Sequence, residues 1–235
     1  MLNKIFIDIQ KNKKEWLKSK KGSDFEDRIE TSFKRNGFNR INKDDKNIKL
    51  ILNSIKNSIL DKKSNDIIDN IYYETDKSIA NCFICQPYGS QNFPDFLIFT
   101  NKKIIPIEIK YSSGKSFNPM WNSNLPKANA IYIFGSYGRE DVTFFLGRDV
   151  LPMSEREALI DFFSEIKKSE NNFRKNLKDK VNEGNAIFDR GFDVYVRRAY
   201  QQDKSINKNA EVDYFSHKNR IDCENNVIRF CDCLE

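Results

Sequence analysis

The chain has 235 residues, 39% of them hydrophobic and 31% charged, which suits one domain of ordinary size with a sizeable core drawn in part from 19 phenylalanines. Its formal charge of +6 is compatible with a polyanionic partner. No apolar run reaches the roughly 18 residues of a membrane span, and the opening MLNKIFIDIQKNKKEW is too short and interrupted an apolar patch for a signal peptide, so the chain reads as cytoplasmic.

Leu2 to Lys20 carries an imperfect apolar stripe of Leu2, Ile5, Phe6, Ile9, Trp16 and Leu17, which predicts an amphipathic helix with a lysine-rich outer face. Gly22 breaks it. Ser23 can cap a second helix over Asp24 to Asn36, with Phe25, Ile29 and Phe33 as its buried stripe and Gly37 as its stop. Asn42 to Ile71 reads as a polar helical insert whose apolar content is Ile48, Leu50, Ile51, Ile55, Ile59 and Leu60. Ala80 to Tyr88 supplies a strand that pairs with Pro94 to Phe99 across a short loop.

The segment from Tyr111 to Ala128 is a long loop rich in Ser, Asn and Lys, longer than connections usually run without a function. It is either exposed chain anchored by Pro119-Met120-Trp121 or a DNA-facing loop. Lys115, Asn118, Asn122, Ser123 and Lys127 would then be the contacts. Ala128 to Ser136 and Val142 to Gly147 read as paired core strands, and Ser154 with Glu157 opens a long helix toward Glu183. Asn185 to Tyr200 interleaves Arg190, Arg197 and Arg198 with aromatics, which suits DNA contact or a strand with a charged outer face. Val227 to Phe230 reads as an edge strand.

Five cysteines, an odd count, point to reduced thiols. Cys82 and Cys85 invite a zinc reading with Cys231 and Cys233, or the last two with Cys223 and His217. An i, i+3 pair in a strand faces opposite sides, which counts against it. His217 is the single histidine, so hydrolytic sites built on several imidazoles are excluded, and a lone His in a polar segment reads as a surface residue.

The informative stretch is Asn92 to Lys110. Phe96 to Phe99 and Ile104 to Ile109 are β-favouring runs joined by the polar turn Asn101-Lys102-Lys103. Strand alternation puts Glu108 and Lys110 on one face, with Ile105, Ile107 and Ile109 on the other, toward a core. Asp95, at the start of the preceding strand, can lie across from that pair. The bland account is a hairpin decorated for solubility. Against it, these charges sit between isoleucines and phenylalanines, where charges are rarely placed without a partner or a metal. Two carboxylates suit a hard divalent cation such as Mg²⁺, and the amine suits an activated water or developing phosphate charge.

Asp95, twelve intervening residues, then Glu108-Ile109-Lys110 resembles the PD-(D/E)XK motif of type II restriction endonucleases and their relatives. Lys21 to Glu26 resembles the segment that opens the first core helix of that superfamily, and the strand Ala128 to Phe134 follows where its fold expects one. The resemblance covers about residues 20 to 150. It implies an α/β chain with a restriction-endonuclease-like core, a mixed central β-sheet flanked by α-helices. Residues 1–235 would form a single nuclease domain, with the helical insert at about 42–71 and a DNA-binding or dimerisation part at about 151–235.

The same resemblance implies Mg²⁺-dependent, sequence-specific cleavage of double-stranded DNA. Asp95, Glu108 and the Ile109 carbonyl would hold the metal, with Lys110 acting on the water or the transition state. Glu26 is either a helix cap paired with Ser23 or an outer catalytic ligand, and Glu30 is the fallback one turn on. A homodimer and a cognate DNA methyltransferase encoded elsewhere would be the partners, with no membrane. A resolvase-like repair nuclease of the same superfamily, a DNA-binding module with a vestigial site, and a structural or interaction protein are the other readings.

Overall fold

The computed structural model describes residues 1–60, 68–69, 79–122, 125–181, 193–194, 196, 199–203, 205–206, 208 and 212–233. It is a mixed α/β arrangement. Six strands lie in the order β1 (Asn39–Arg40), β3 (Cys82–Cys85), β4 (Phe96–Phe99), β5 (Lys103–Ser112), β7 (Ile131–Ser136) and β8 (Asp141–Leu146), and β2 (Ile68–Asp69) adds a short pairing to β5. The pairs β1–β3 and β5–β7 are parallel, and β3–β4, β4–β5 and β7–β8 are antiparallel. A separate two-stranded ribbon joins β6 (Trp121–Asn122) to β9 (Ala199–Tyr200). Among the described residues no helix is long and apolar enough to cross a membrane.

Each sheet face is covered because the strands are apolar on both sides. One face, with Ile105, Ile107, Ile109, Ile131 and Ile133, packs under α1 (Leu2–Lys11), α2 (Gly22–Arg35) and α6 (Arg220–Asp232). The other, with Leu97, Phe99, Ile104, Tyr132 and Phe134, packs under α3 (Lys46–Leu60) and against Trp121 and Phe215. Burying one such side chain contributes roughly 1.5–3 kcal/mol. The hairpin turn is fixed by Thr100, whose backbone N–H and Oγ1 both bond the Lys103 carbonyl at 2.9 and 2.8 Å.

Several expectations are corrected here. The first helix ends at Lys11, where Asn12 folds back to bond Asp8 through both backbone and side chain. A 3-10 turn over Lys13–Trp16 then drops Trp16 and Leu17 into the core, so the apolar stripe continues without the helix. The second helix starts at Gly22 with Lys21 at its N-cap, so Ser23 lies inside it and makes no capping box with Glu26.

Asp45 caps α3, its Oδ1 accepting from the backbone N–H groups of Asn47 and Ile48 at 2.8 and 3.2 Å. That helix is described as Lys46–Leu60, and Ile68–Asp69 is strand, so the insert is not one helix to Ile71. Val227 to Phe230 is not an edge strand but part of α6, whose Glu224, Val227, Phe230 and Cys231 form one buried helical face. Helix α4 (Gly147–Val150) follows β8, and α5 runs from Met153 to Val181.

Candidate active site

The β4–β5 register pairs Phe96 with Ile107, and one step further along it Asp95 stands opposite Glu108. Asp95 Oδ2 accepts the Ile109 backbone N–H at 2.7 Å, which ties the carboxylate to the strand that carries Glu108 and Lys110. Lys110 Nζ donates to Glu108 Oε1 at 2.9 Å, and the two side chains are only 21% and 15% exposed. Glu108 Oε2 is buried without a hydrogen-bond partner. A buried carboxylate oxygen left this way costs stability unless something else compensates it.

Burial, the charge of Glu108 beside it and Glu26 further off raise the Asp95 carboxyl well above the usual carboxylate range. The Ile109 N–H and Lys110 oppose them and lose. Glu26, near the start of α2, is raised too, by burial first and then by Asp27 and Glu108. The structure therefore places Glu26 within the field of the Asp95–Glu108 pair. Glu30 is committed elsewhere: it accepts from Arg40 at 3.0 Å and from the Cys85 thiol at 3.3 Å, and it pairs with Lys34. Burial alone would raise Glu30, yet these contacts hold it below its ordinary value.

Trp121, read from the sequence only as part of a loop anchor and here buried, and Tyr132, which reading by residue type passed over, are neighbours of the site. The loop after β5 returns through β6 and sets the Trp121 ring centroid 5.8 Å from Lys110 Nζ, a cation–π distance. Tyr132 pairs with Glu108 across β5–β7 and packs edge-on against Trp121 at 5.1 Å. Lys43 is a third, its ammonium 3.0 Å from the carbonyl of Gln86, whose own N–H bonds the Asp95 carbonyl. An aromatic in a polar loop was a signal for Trp121; nothing in the run Asn42 to Asp45 distinguished Lys43.

The expected DNA contacts fare unevenly. Lys115 is exposed and Asn118 half-buried in the loop after β5, and Asn122 lies in β6. Lys127 is corrected: it is 6% exposed, its Nζ donates to the Leu60 carbonyl and sits 5.8 Å from the Phe93 ring, so no nucleic-acid backbone reaches it. Ser123, Arg190, Arg197 and Arg198 lie outside the described residues. His217 is half-buried, and its Nδ1 accepts the Asn219 N–H at 3.0 Å. None of the five cysteines is in a disulfide.

Among the described residues no three His, Cys, Asp or Glu side chains group closely enough to hold a metal ion by themselves. A Mg²⁺ site needs no such group, since Mg²⁺ keeps several waters and takes one or two carboxylates. Asp95 and Glu108 fit it: both are acceptor-only carboxylates when ionised, and one offers a buried oxygen that nothing among the described residues satisfies. No family model, no curated protein and no solved structure matches the chain.

Proposed function

We propose that the chain is a Mg²⁺-dependent endonuclease acting on double-stranded DNA, with a restriction-endonuclease-like core and a preference for a specific sequence. The observation that carries the reading is the unsatisfied Glu108 Oε2 beside a burial-raised Asp95, with the Lys110 ammonium on the same strand face. A solubility-decorated hairpin would leave these groups solvated. Asp95 and Glu108 would hold the cation, with the Ile109 carbonyl as a further oxygen. Bound Mg²⁺ would lower the pKa of a water and offset charge on the phosphate.

The remaining steps belong to the chain. The reaction joins a water oxygen to phosphorus and breaks one phosphorus–ester bond, with the proton leaving the water and the ester oxygen taking one up. Lys110, held by Glu108 and the Trp121 face, keeps a positive charge where the phosphate oxygens gain negative charge. Asp95 is fixed through Ile109, so the carboxylate does not have to be ordered when substrate arrives. Lys115, Asn118 and Lys43 are the described candidates for the DNA backbone, consistent with the net charge of +6.

The test is purified protein incubated with unmethylated plasmid and phage DNA, with Mg²⁺ or with EDTA, alongside Lys110→Ala. Discrete fragments that require Mg²⁺ and Lys110 are the expected result. Nicking or a smear would shift the assignment to a resolvase-like repair nuclease. Intact DNA on several substrates, with binding retained, would leave a DNA-binding module instead.

A further inference from the structure

Among the described residues, helix α5 carries a second face on which large apolar side chains stand exposed. One side of α5 is spent on the body of the protein: Arg156 is buried and donates to the Leu151 carbonyl at 3.0 Å, and Phe163 meets Tyr200 at a centroid distance of 4.9 Å. Arg174 pairs with Glu170 at 2.9 Å and Asp193 at 2.7 Å on the same side. About a quarter turn away runs a different row: Glu155, Phe162, Ile166, Ser169, Phe173 and Lys180. Phe162 and Phe173 are 55% and 50% exposed, large for rings on a helix otherwise rich in charge.

The row reads the same in both directions. Its steps are seven, four, three, four and seven residues, all spacings that stay on one helix face. Laid antiparallel on an identical helix about a two-fold axis between Lys167 and Lys168, Phe162 of each copy meets Phe173 of the other, and Ile166 meets Ser169. Glu155 then meets Lys180 at both ends, so unlike charges face each other. Lys167, close to the axis, already pairs with Glu170 at 3.2 Å, which reduces the repulsion there. A two-fold contact must be self-complementary in this way.

We propose that this face of α5 is a docking surface for a second copy of the chain, forming an antiparallel two-helix homodimer in the register just described. The proposal stands independently of the nuclease reading, because it uses none of that site's residues. Residues 155 to 180 span roughly 39 Å at 1.5 Å per residue, and a helix about 10 Å wide gives a footprint of roughly 400 Å² per copy. That is about half of a standard interface, so the dimer is weak and depends on concentration.

Sedimentation velocity on the full chain, from about 1 to about 200 µM, tests it. The wild type should pass from monomer to dimer within that range. Phe162→Ser or Phe173→Ser should weaken association at least about tenfold, with circular dichroism unchanged because both rings are exposed. Glu155→Lys and Lys180→Glu should each weaken it about threefold or more, and the combined reversal should return it to within about twofold of wild type. A wild type that stays monomeric throughout overturns the proposal, as does a dimer indifferent to both serine substitutions. Serine variants that weaken association without rescue by the double reversal would overturn the antiparallel register.

Discussion

Asp95 is a carboxyl whose charge the fold resists, and that has a measurable sign. Its proton is held more tightly in the folded chain than in the unfolded one, because burial and Glu108 both disfavour the anion. Stability without metal therefore falls as pH rises from the ordinary carboxylate value through the raised one. Asp95→Asn keeps an acceptor for the Ile109 N–H and removes the charge. In EDTA at neutral pH it should stabilise the protein by about 1–3 kcal/mol, a melting shift of roughly 2–12 °C. Mg²⁺ should raise the wild-type melting temperature and leave this variant unmoved; a variant less stable than wild type in EDTA would contradict the argument. Lys110 has a second support in Trp121. Trp121→Leu should slow cleavage about fivefold, the loss of roughly 1 kcal/mol of cation–π hold, while Trp121→Phe keeps a ring and recovers most of the rate. Equal rates for the two variants would remove Trp121 from the account.

At the scale of elements, α6 shows how much one residue can hide. Its buried face is Glu224, Val227, Phe230 and Cys231, a helical spacing in which the first member is a carboxylate. Read by polarity, that leaves only the short run Val227 to Phe230, which has no period of its own and passes for a strand. The structure explains the carboxylate: Glu224 is fully buried and bonds Lys13 at 3.0 Å, Gln10 at 3.1 Å, Thr143 at 3.0 Å and Arg220 at 2.9 Å, tying α6 to the first helix segment and to β8. Glu224→Ala should therefore cost about 3–5 kcal/mol and lower the melting temperature by roughly 6–20 °C. A shift below about 2 °C would show the network to be dispensable. The β4–β5 hairpin, by contrast, was legible, because strict alternation and a polar turn dictate both the pairing and the face on which Glu108 and Lys110 sit. Lys127 was misread for the opposite reason to Glu224. A lysine in a polar loop looks exposed until the chain folds its ammonium onto the end of α3.

For the whole molecule, a mixed sheet covered on both faces holds Asp95, just before β4, opposite Glu108 in β5, while the loop after β5 returns to set Trp121 beside Lys110. None of that long-range placement was visible in local pattern, since the approach of Trp121 to Lys110 depends on strands far apart in the chain. If the basic excess serves DNA, affinity should fall steeply with salt, each phosphate contact adding a slope of about −0.9 in log K against log salt. A slope near zero would contradict backbone contact. The central claim is that Asp95 and Glu108 together bind a divalent cation. The most direct measurement is calorimetric titration of Mg²⁺ into the wild type, Asp95→Asn, Glu108→Gln and Lys110→Ala. Saturable binding by the wild type and Lys110→Ala, lost in both carboxylate variants, is the predicted result. Binding unchanged in the carboxylate variants, or absent from the wild type, would contradict it.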